Sequence, residues 1–282
     1  MTQAKQTKFN VAAIQMASGP SVSANLMESE RLINRAVERG AKMVVLPENF
    51  SFMGMAEDEK LRVAEVDGAG PVQDFLSAQA SKHGIFLIGG TIPLSTKSPK
   101  HIRAACLVYD SSGERVARYD KMHLFDVNLE EGNEQYAESE TIEPGDEVCC
   151  VDTPYGRLGL AVCYDLRFPE QFRQMAESGI DIIVLPSAFT AITGKAHWQH
   201  LVCARAIENL CYLIAPNQGG YHVSGRESYG HSMVIDPWGG IVDSLDSGAG
   251  VVVAEIDRDV IDRVRKNFPA LEHRRLGCRS PF

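Results

Sequence analysis

Three stretches of the 282-residue sequence carry side chains suited to covalent chemistry on an acyl group. In GRLGLAVCYDLRFPE an apolar run ends near Val162, and Pro169 offers a helix start. Cys163 therefore falls at a strand-to-helix turn, where a side chain is presented at a sheet edge. A thiol there can act as a nucleophile once it is activated as a thiolate. The same position suits an inert cysteine, because cysteine is among the residue types most often buried. Glu48 closes VVLPE at another strand exit. Beside apolar residues its carboxylate needs a partner or water, and burial would raise its pKa toward that of a general base. A turn-capping glutamate is the plainer reading. Lys121 lies between RVARYD and MHLFD. With Leu124 and Phe125 near it, a compact cation can hold a developing oxyanion; a surface lysine is the ordinary alternative. His123, His197 and His231 leave a cysteine–histidine pair open, since such partners meet only in the fold.

Other chemistries find less support. His197 and His200 can share a helix face, but no third ligand stands at a recognisable spacing and no HExxH occurs, so no metal is expected. LIGGT and NQGGY lack a full phosphate-loop or dinucleotide fingerprint and read as turns. Lys and Arg total 28 against 37 Asp and Glu, a net charge of −9, which argues against a nucleic-acid footprint. A local basic pocket for a small anion remains compatible with that balance. Seven cysteines, Cys106, Cys149, Cys150, Cys163, Cys203, Cys211 and Cys278, are an odd number in a chain of this length and include no Cys-x-x-Cys. A reducing compartment suits them better than a disulfide framework. The polar start MTQAKQTKFN and the lack of an 18-residue apolar run point to a soluble cytoplasmic protein with no membrane span.

The elements that must position these residues alternate in type. FNVAAIQM, AKMVVLPE, GIFLIGG, AACLVYD, GRLGLAVCYD, GIDIIVLPSAF, CYLIAPNQ, HSMVIDP and GVVVAEID read as strands, several of them covered on both faces. Helical patterns lie between them. Asn25 to Gly40 sets Leu26, Leu32, Ile33 and Ala36 on one stripe. Pro71 opens a second helix that Gly84 stops, and Pro169 opens a third that Gly179 ends. Ala196 to Asn209 reads as a fourth, with Leu201, Val202, Ala206 and Trp198 toward the core. Leu94 to His101, Val127 to Pro144 and Asn217 to Tyr229 read as loops. VVLPENF and IVLPSAF are partial echoes that suggest similar βα units without establishing a duplication. The order is that of an α/β protein.

Taken together, LPENF, YDKMHLFD and AVCYDLRFPE resemble the carbon–nitrogen hydrolase family, also called the nitrilase superfamily. The similarity runs from AAIQM through SYGHSMVIDPWG to VVVAEID. SAFTAITGKAHWQHLVCARAIEN and RESYGHSMVIDPWG resemble the branch of deaminated glutathione amidases. The resemblance implies one carbon–nitrogen hydrolase domain over residues 1–282, folded as a four-layer α-β-β-α sandwich. It implies a homodimer or higher assembly, with the C-terminal tail at an oligomer interface, and no cofactor. The family's catalytic glutamate, lysine and cysteine fall on Glu48, Lys121 and Cys163, and a further glutamate near its catalytic centre matches Glu138.

The function so implied is hydrolysis of a small 2-oxo-acid amide through a cysteine thioester. In the branch it resembles, deaminated glutathione gives 2-oxoglutarate and cysteinylglycine. Glu48 is expected as the base, with Lys121 and the Tyr164 backbone N–H donating to the oxyanion. Glu138 is expected to orient Lys121 or a substrate amide. Arg167, Arg205 and Arg226 are candidates for a substrate carboxylate, Arg167 equally for a pair with Glu170. An omega-amidase acting on 2-oxoglutaramate or 2-oxosuccinamate is a second reading, and a catalytically silent scaffold or binding protein is a third.

Overall fold

The computed structural model describes residues 7–129 and 134–277. Its first half contains β1 (Lys8–Gln15), α1 (Val22–Glu38), β2 (Ala41–Val45), α2 (Pro71–His83), β3 (Phe86–Ile88), β4 (Ile92–Ser95), β5 (Ile102–Tyr109) and β6 (Arg115–Asp120). A small hairpin, β7 (Asp126–Leu129) and β8 (Glu134–Ala137), follows. The second half contains β9 (Cys149–Thr153), β10 (Gly156–Leu160), α3 (Pro169–Glu177), β11 (Ile182–Val184), α4 (Ala191–Asn209) and β12 (Tyr212–Ala215). A second hairpin, β13 (Gly219–Tyr221) and β14 (Glu227–Tyr229), precedes β15 (Ser232–Ile235), β16 (Ile241–Leu245), β17 (Gly250–Asp257) and α5 (Arg258–Asn267).

The strands are apolar at consecutive positions because each sheet is covered twice. Val11, Ala13, Met43, Val45 and Ile88 face inward and share one core with Leu158, Leu160, Ile182 and Val184. The alternate residues Ala12, Ile14, Val44 and Leu87 pack outward against Leu32, Ile33 and Ala36 of α1 and Val72 and Leu76 of α2. On the other sheet, Phe172 and Met175 of α3 and Trp198, Val202 and Ala206 of α4 are buried. Period-two alternation thus fills two interfaces at once. The result is an α/β sandwich in which two mixed sheets lie between helical layers.

The strand order is β17-β1-β2-β3-β5-β4 in one sheet, with β6 paired to β5, and β16-β15-β12-β11-β10-β9 in the other. The same unit occurs in each. β1, β2 and β3 are parallel through α1 and α2, and β10, β11 and β12 are parallel through α3 and α4. The echo of VVLPE and IVLPS therefore marks equivalent places, the carboxyl ends of β2 and β11. The leucine after each strand makes the same bond: Leu46 N–H donates to Ile88 O and Leu185 N–H to Ile214 O, both at 2.9 Å.

Local signals set most helix limits. Gly84 caps α2 in a left-handed conformation, and Pro71 and Pro169 begin α2 and α3. α1 begins at Val22, three residues before the expected Asn25, because the Ser21 hydroxyl accepts from Ala24 N–H. α4 begins at Ala191 rather than Ala196, because Thr190 caps it by accepting from Thr193 N–H. Two of the expected loops contain hairpins: β7–β8 within 127–144 and β13–β14 within 217–229. Cys278 lies outside the described residues, as does the end of the tail expected at an oligomer interface. Among the described residues no helix is long and apolar enough to cross a membrane.

Gly90, between β3 and β4, supports the turn that carries Glu48. Its φ is +53°, and a Cβ there would lie 2.0 Å from the Pro47 carbonyl oxygen. Gly90→Ala must shift the Pro47 backbone or distort its own. We expect a stability loss of about 2 kcal/mol or more, read by denaturant unfolding, together with reduced hydrolytic activity. A variant matching wild type in both would show that the turn yields at no cost.

Candidate active site

Four chain segments converge at the carboxyl ends of β2 and β10. Glu48 follows β2 by way of Pro47 and is 3% exposed. Its backbone is held on both sides. Gln218 Nε2–H donates to Glu48 O at 2.9 Å, and Asn49 N–H donates to Thr91 Oγ1 at 2.8 Å. Asn49 has φ +57°, which turns the chain sharply after the carboxylate. Cys163 follows β10 with φ +48°, an uncommon conformation for a residue with a side chain. Its N–H donates to Pro186 O at 2.9 Å, which ties the turn to the chain leaving β11.

Lys121 leaves the end of β6 and is 1% exposed. Its Nζ donates to Glu48 Oε1 at 2.8 Å and to Glu138 Oε2 and Oε1 at 2.7 and 3.0 Å. An ammonium has three donors, and all three acceptors are carboxylate oxygens. Glu138, just after β8, also accepts from Phe125 N–H at 2.8 Å. Burial by itself would push the Lys121 pKa down, but the charges of Glu138 and Glu48 outweigh it and hold the pKa well above the ordinary lysine value. Burial likewise opposes ionisation of Glu138, and the Lys121 ammonium, helped by Lys60, keeps its pKa below the usual range.

Cys163 has the opposite balance. Burial pushes its thiol well up, the Glu48 charge adds to that, and Lys121 only partly compensates. The Ala188 backbone also favours the charged form of the sulfur, without reversing the balance. At rest the site therefore holds a neutral thiol beside a carboxylate. Two carboxylates and a thiolate around one ammonium would leave two uncompensated charges in a buried site.

Asp165 was missed in the sequence, although an acid two residues after Cys163 in an apolar run needs partners. It is fully buried. Its Oδ2 accepts from Tyr119 OH at 2.6 Å and Val162 N–H at 2.8 Å, and its Oδ1 accepts from His123 N–H at 3.0 Å. His123 Nδ1 lies 2.7 Å from Oδ1. Tyr119 OH in turn accepts from Gln171 Nε2–H at 2.9 Å. This network locks the cysteine turn to the segment that carries Lys121 and draws on both sheets.

The cleft above Cys163 is narrow, about 20 Å³, and is lined by Glu48, Glu138, Tyr164, Arg167, Phe189 and Arg226, among others. Arg167 lies over the Phe189 and Tyr164 rings at 5.5 and 5.8 Å and 3.3 Å from His197 Nδ1. Among the described residues it makes no ion pair with Glu170 or any other acid. Arg226 reaches Ala188 O, lies over the Tyr136 ring, and leaves its buried Nε without a hydrogen-bond partner.

Arg205, expected as a possible substrate contact, is elsewhere. It is buried on the side of α4 that faces the cysteine turn from behind, where its Nε and Nη2 donate to Leu166 O at 3.1 and 2.7 Å and Nη1 meets Glu208 at 3.0 Å. It braces the turn and does not line the cleft. Among the described residues no histidine lines the cleft either. His231 stacks on Tyr229, and Trp198 is a core residue whose Nε1–H donates to His231 O at 2.8 Å. Asn217, Gln218 and His222 are buried and bond to backbone around the site, Asn217 through Phe189 N–H and His222 through Ser18 O. Cys149 sits half-buried on β9, beside a different surface cavity, with its thiol pushed up to about 11 by burial and neighbouring Cys150. Among the described residues no group of acids, histidines or cysteines is arranged to hold a metal ion.

Known proteins share this arrangement of chain. The family model described as carbon-nitrogen hydrolase matches residues 10–266. A deaminated glutathione amidase of Synechocystis is 44% identical over 270 residues, covering 94% of this chain and 98% of that protein. The human deaminated glutathione amidase is 38% identical over 269 residues, covering 94% of this chain and 82% of that protein. Among solved structures, Saccharomyces cerevisiae Nit3, a member of branch 10 of the nitrilase superfamily, superposes with a TM-score of 0.87 at 34% identity, over 98% of this chain and 99% of that one. Caenorhabditis elegans NitFhit superposes with a TM-score of 0.89 at 39% identity, over 96% of this chain and 66% of that longer one. The chain thus belongs to the carbon–nitrogen hydrolase family, the nitrilase superfamily, and is an amidase of the kind that works through a catalytic cysteine.

Proposed function

We propose that the chain hydrolyses the amide of a 2-oxo diacid, with deaminated glutathione as substrate and 2-oxoglutarate and cysteinylglycine as products, and that Cys163, Glu48 and Lys121 carry the chemistry. The observation that carries this reading is a buried thiol, carboxylate and ammonium opening to a cleft where two guanidiniums lack a carboxylate partner among the described residues. The substrate is supported by the activity named for the Synechocystis and human relatives.

The reaction follows from the charges. Glu48 takes the Cys163 proton as sulfur bonds to the amide carbon, so no free thiolate accumulates. Negative charge develops on the carbonyl oxygen, where the Tyr164 N–H and one Lys121 N–H, turned from its second contact with Glu138, are the proposed donors. The carbon–nitrogen bond then breaks as Glu48 returns the proton to the departing amine, leaving an acyl thioester. Water attacks the thioester with Glu48 accepting its proton. The carbon–sulfur bond breaks, the acid leaves, and the thiol is restored. Glu138 holds Lys121 in place and touches no reacting atom. Arg167 and Arg226 are positioned to bind the carboxylate of the acyl group, for which guanidinium geometry is well matched.

Product analysis by mass spectrometry on deaminated glutathione and 2-oxoglutaramate, with Cys163→Ala as control, tests the substrate. We expect the larger amide to be favoured in kcat/KM and both activities to vanish in the variant. Preference for 2-oxoglutaramate would make the enzyme an omega-amidase, and no hydrolysis of any amide would favour a scaffold. Lys121→Met should reduce kcat about 10²–10³-fold; near-wild-type turnover in the folded variant would remove Lys121 from the mechanism.

Glu48→Gln separates two effects of one carboxylate. The Glu48 charge raises the Cys163 pKa, so its removal lowers that pKa and increases the thiolate fraction at a fixed pH near neutrality. Alkylation of Cys163 by iodoacetamide should then speed up, with its pH midpoint moved down. Amide turnover should fall by about 10² or more, because glutamine cannot transfer the proton. Alkylation that slows together with turnover would contradict this electrostatic assignment.

A further inference from the structure

We infer that a second, outer chamber is the subsite for the leaving amine, and that its chemistry selects a short peptide ending in a free carboxylate. This rests on the reading above, in which the acyl group occupies the inner cleft. The outer chamber has a volume of about 500 Å³ and adjoins the cleft through Asn49 and Arg226, which line both. Its walls come from the chain after Glu48, from β8 and from the turn between β13 and β14.

Its lining carries two acids, Glu57 and Glu134, as well as Lys60 and Arg226, and what marks it as a binding site is that donors of both cations stay unfilled. Lys60 is 5% exposed, yet its Nζ has one partner among the described residues, Glu57 Oε2 at 2.6 Å. An ammonium has three donors, so two remain. Arg226 Nε–H is buried and unpaired. No described residue hydrogen-bonds the Asn49 side chain, which stands at the junction of the two spaces. Unfilled buried donors are costly, and they favour a ligand rich in acceptors. A peptide amide with a terminal carboxylate supplies a carbonyl for the Asn49 junction and an anion for Lys60 and Arg226. An amide that releases ammonia meets Asn49 and Arg226 only from the inner cleft and does not reach Lys60.

The test compares two amides of the same 2-oxo diacid, one releasing ammonia and one releasing cysteinylglycine. In the wild type the peptide amide should have the higher kcat/KM by about tenfold or more. Lys60→Met should cut that ratio about tenfold, the effect of losing a charged hydrogen bond. Ser224→Trp, on the exposed rim, should also cut it by filling the chamber while leaving Lys60 intact, which guards against a folding defect in the first variant. A ratio unchanged in both folded variants, or a wild-type preference for the ammonia-releasing amide, overturns the inference. Binding of cysteinylglycine by titration calorimetry needs no turnover, so it separates this inference from the choice of acyl group. Binding weakened about tenfold by Lys60→Met supports the subsite even if neither amide is cleaved. Binding absent from the wild type, or equal in wild type and variant, removes it.

Discussion

A lysine ammonium almost wholly removed from water is the constraint on which the site depends. Lys121 can stay charged there only because Glu48 and Glu138 surround it with three carboxylate oxygens. The same carboxylate that helps pay for the buried cation also disfavours ionisation of Cys163. One buried thiol, one ammonium and two acids therefore fix each other's protonation states. The Cys163 thiol is held protonated next to Glu48. Removing Lys121 leaves two buried acids without their cation, and removing either acid changes the field at its neighbours, so these substitutions perturb the rest of the group.

The fold meets that constraint by delivering the four groups from separate segments and then tying those segments together. Glu48 follows β2 in one sheet and Cys163 follows β10 in the other, both at the carboxyl ends of parallel strands. Lys121 arrives from β6 and Glu138 from the β7–β8 hairpin. Asp165 links the cysteine turn to Tyr119 and His123 on either side of Lys121, and Gln218 holds the Glu48 carbonyl from across the molecule. The positive φ values at Asn49 and Cys163 are tolerated because these bonds determine the backbone on both sides. Rigidity of this kind matters for proton transfer, which demands close contact between thiol and base.

Around the charged centre the arginines divide by what their surroundings leave unsatisfied. Arg205 spends its guanidinium on Leu166 O and Glu208, and so holds the cysteine turn from behind. Arg167 and Arg226 rest against aromatic rings instead, which stabilise a cation while leaving donors for an anion. The overall charge of −9 does not prevent two arginines from facing the cleft, because the field there is set by the nearest groups.

The sequence alone determined the α/β alternation, the helix starts at Pro71 and Pro169, the stop at Gly84, and the identities of Glu48, Lys121 and Cys163 as candidates. These were legible because strand period, proline and glycine chemistry act over a few residues, and because the family motifs are contiguous. It also showed the echo of VVLPE and IVLPS, but only the sheets reveal that the two occupy equivalent strand ends. Tertiary structure decided which arginines face the cleft, that His123 serves Asp165 and not Cys163, and that two apparent loops are hairpins. Arg205 and Arg167 each have a glutamate three residues on in sequence, Glu208 and Glu170; which way a guanidinium points depends on packing between α4 and the cysteine turn. The protonation state of Cys163 was likewise beyond any local reading, because it is set by charges 115 and 42 positions away in the chain, brought together only by the closing of two sheets on one core.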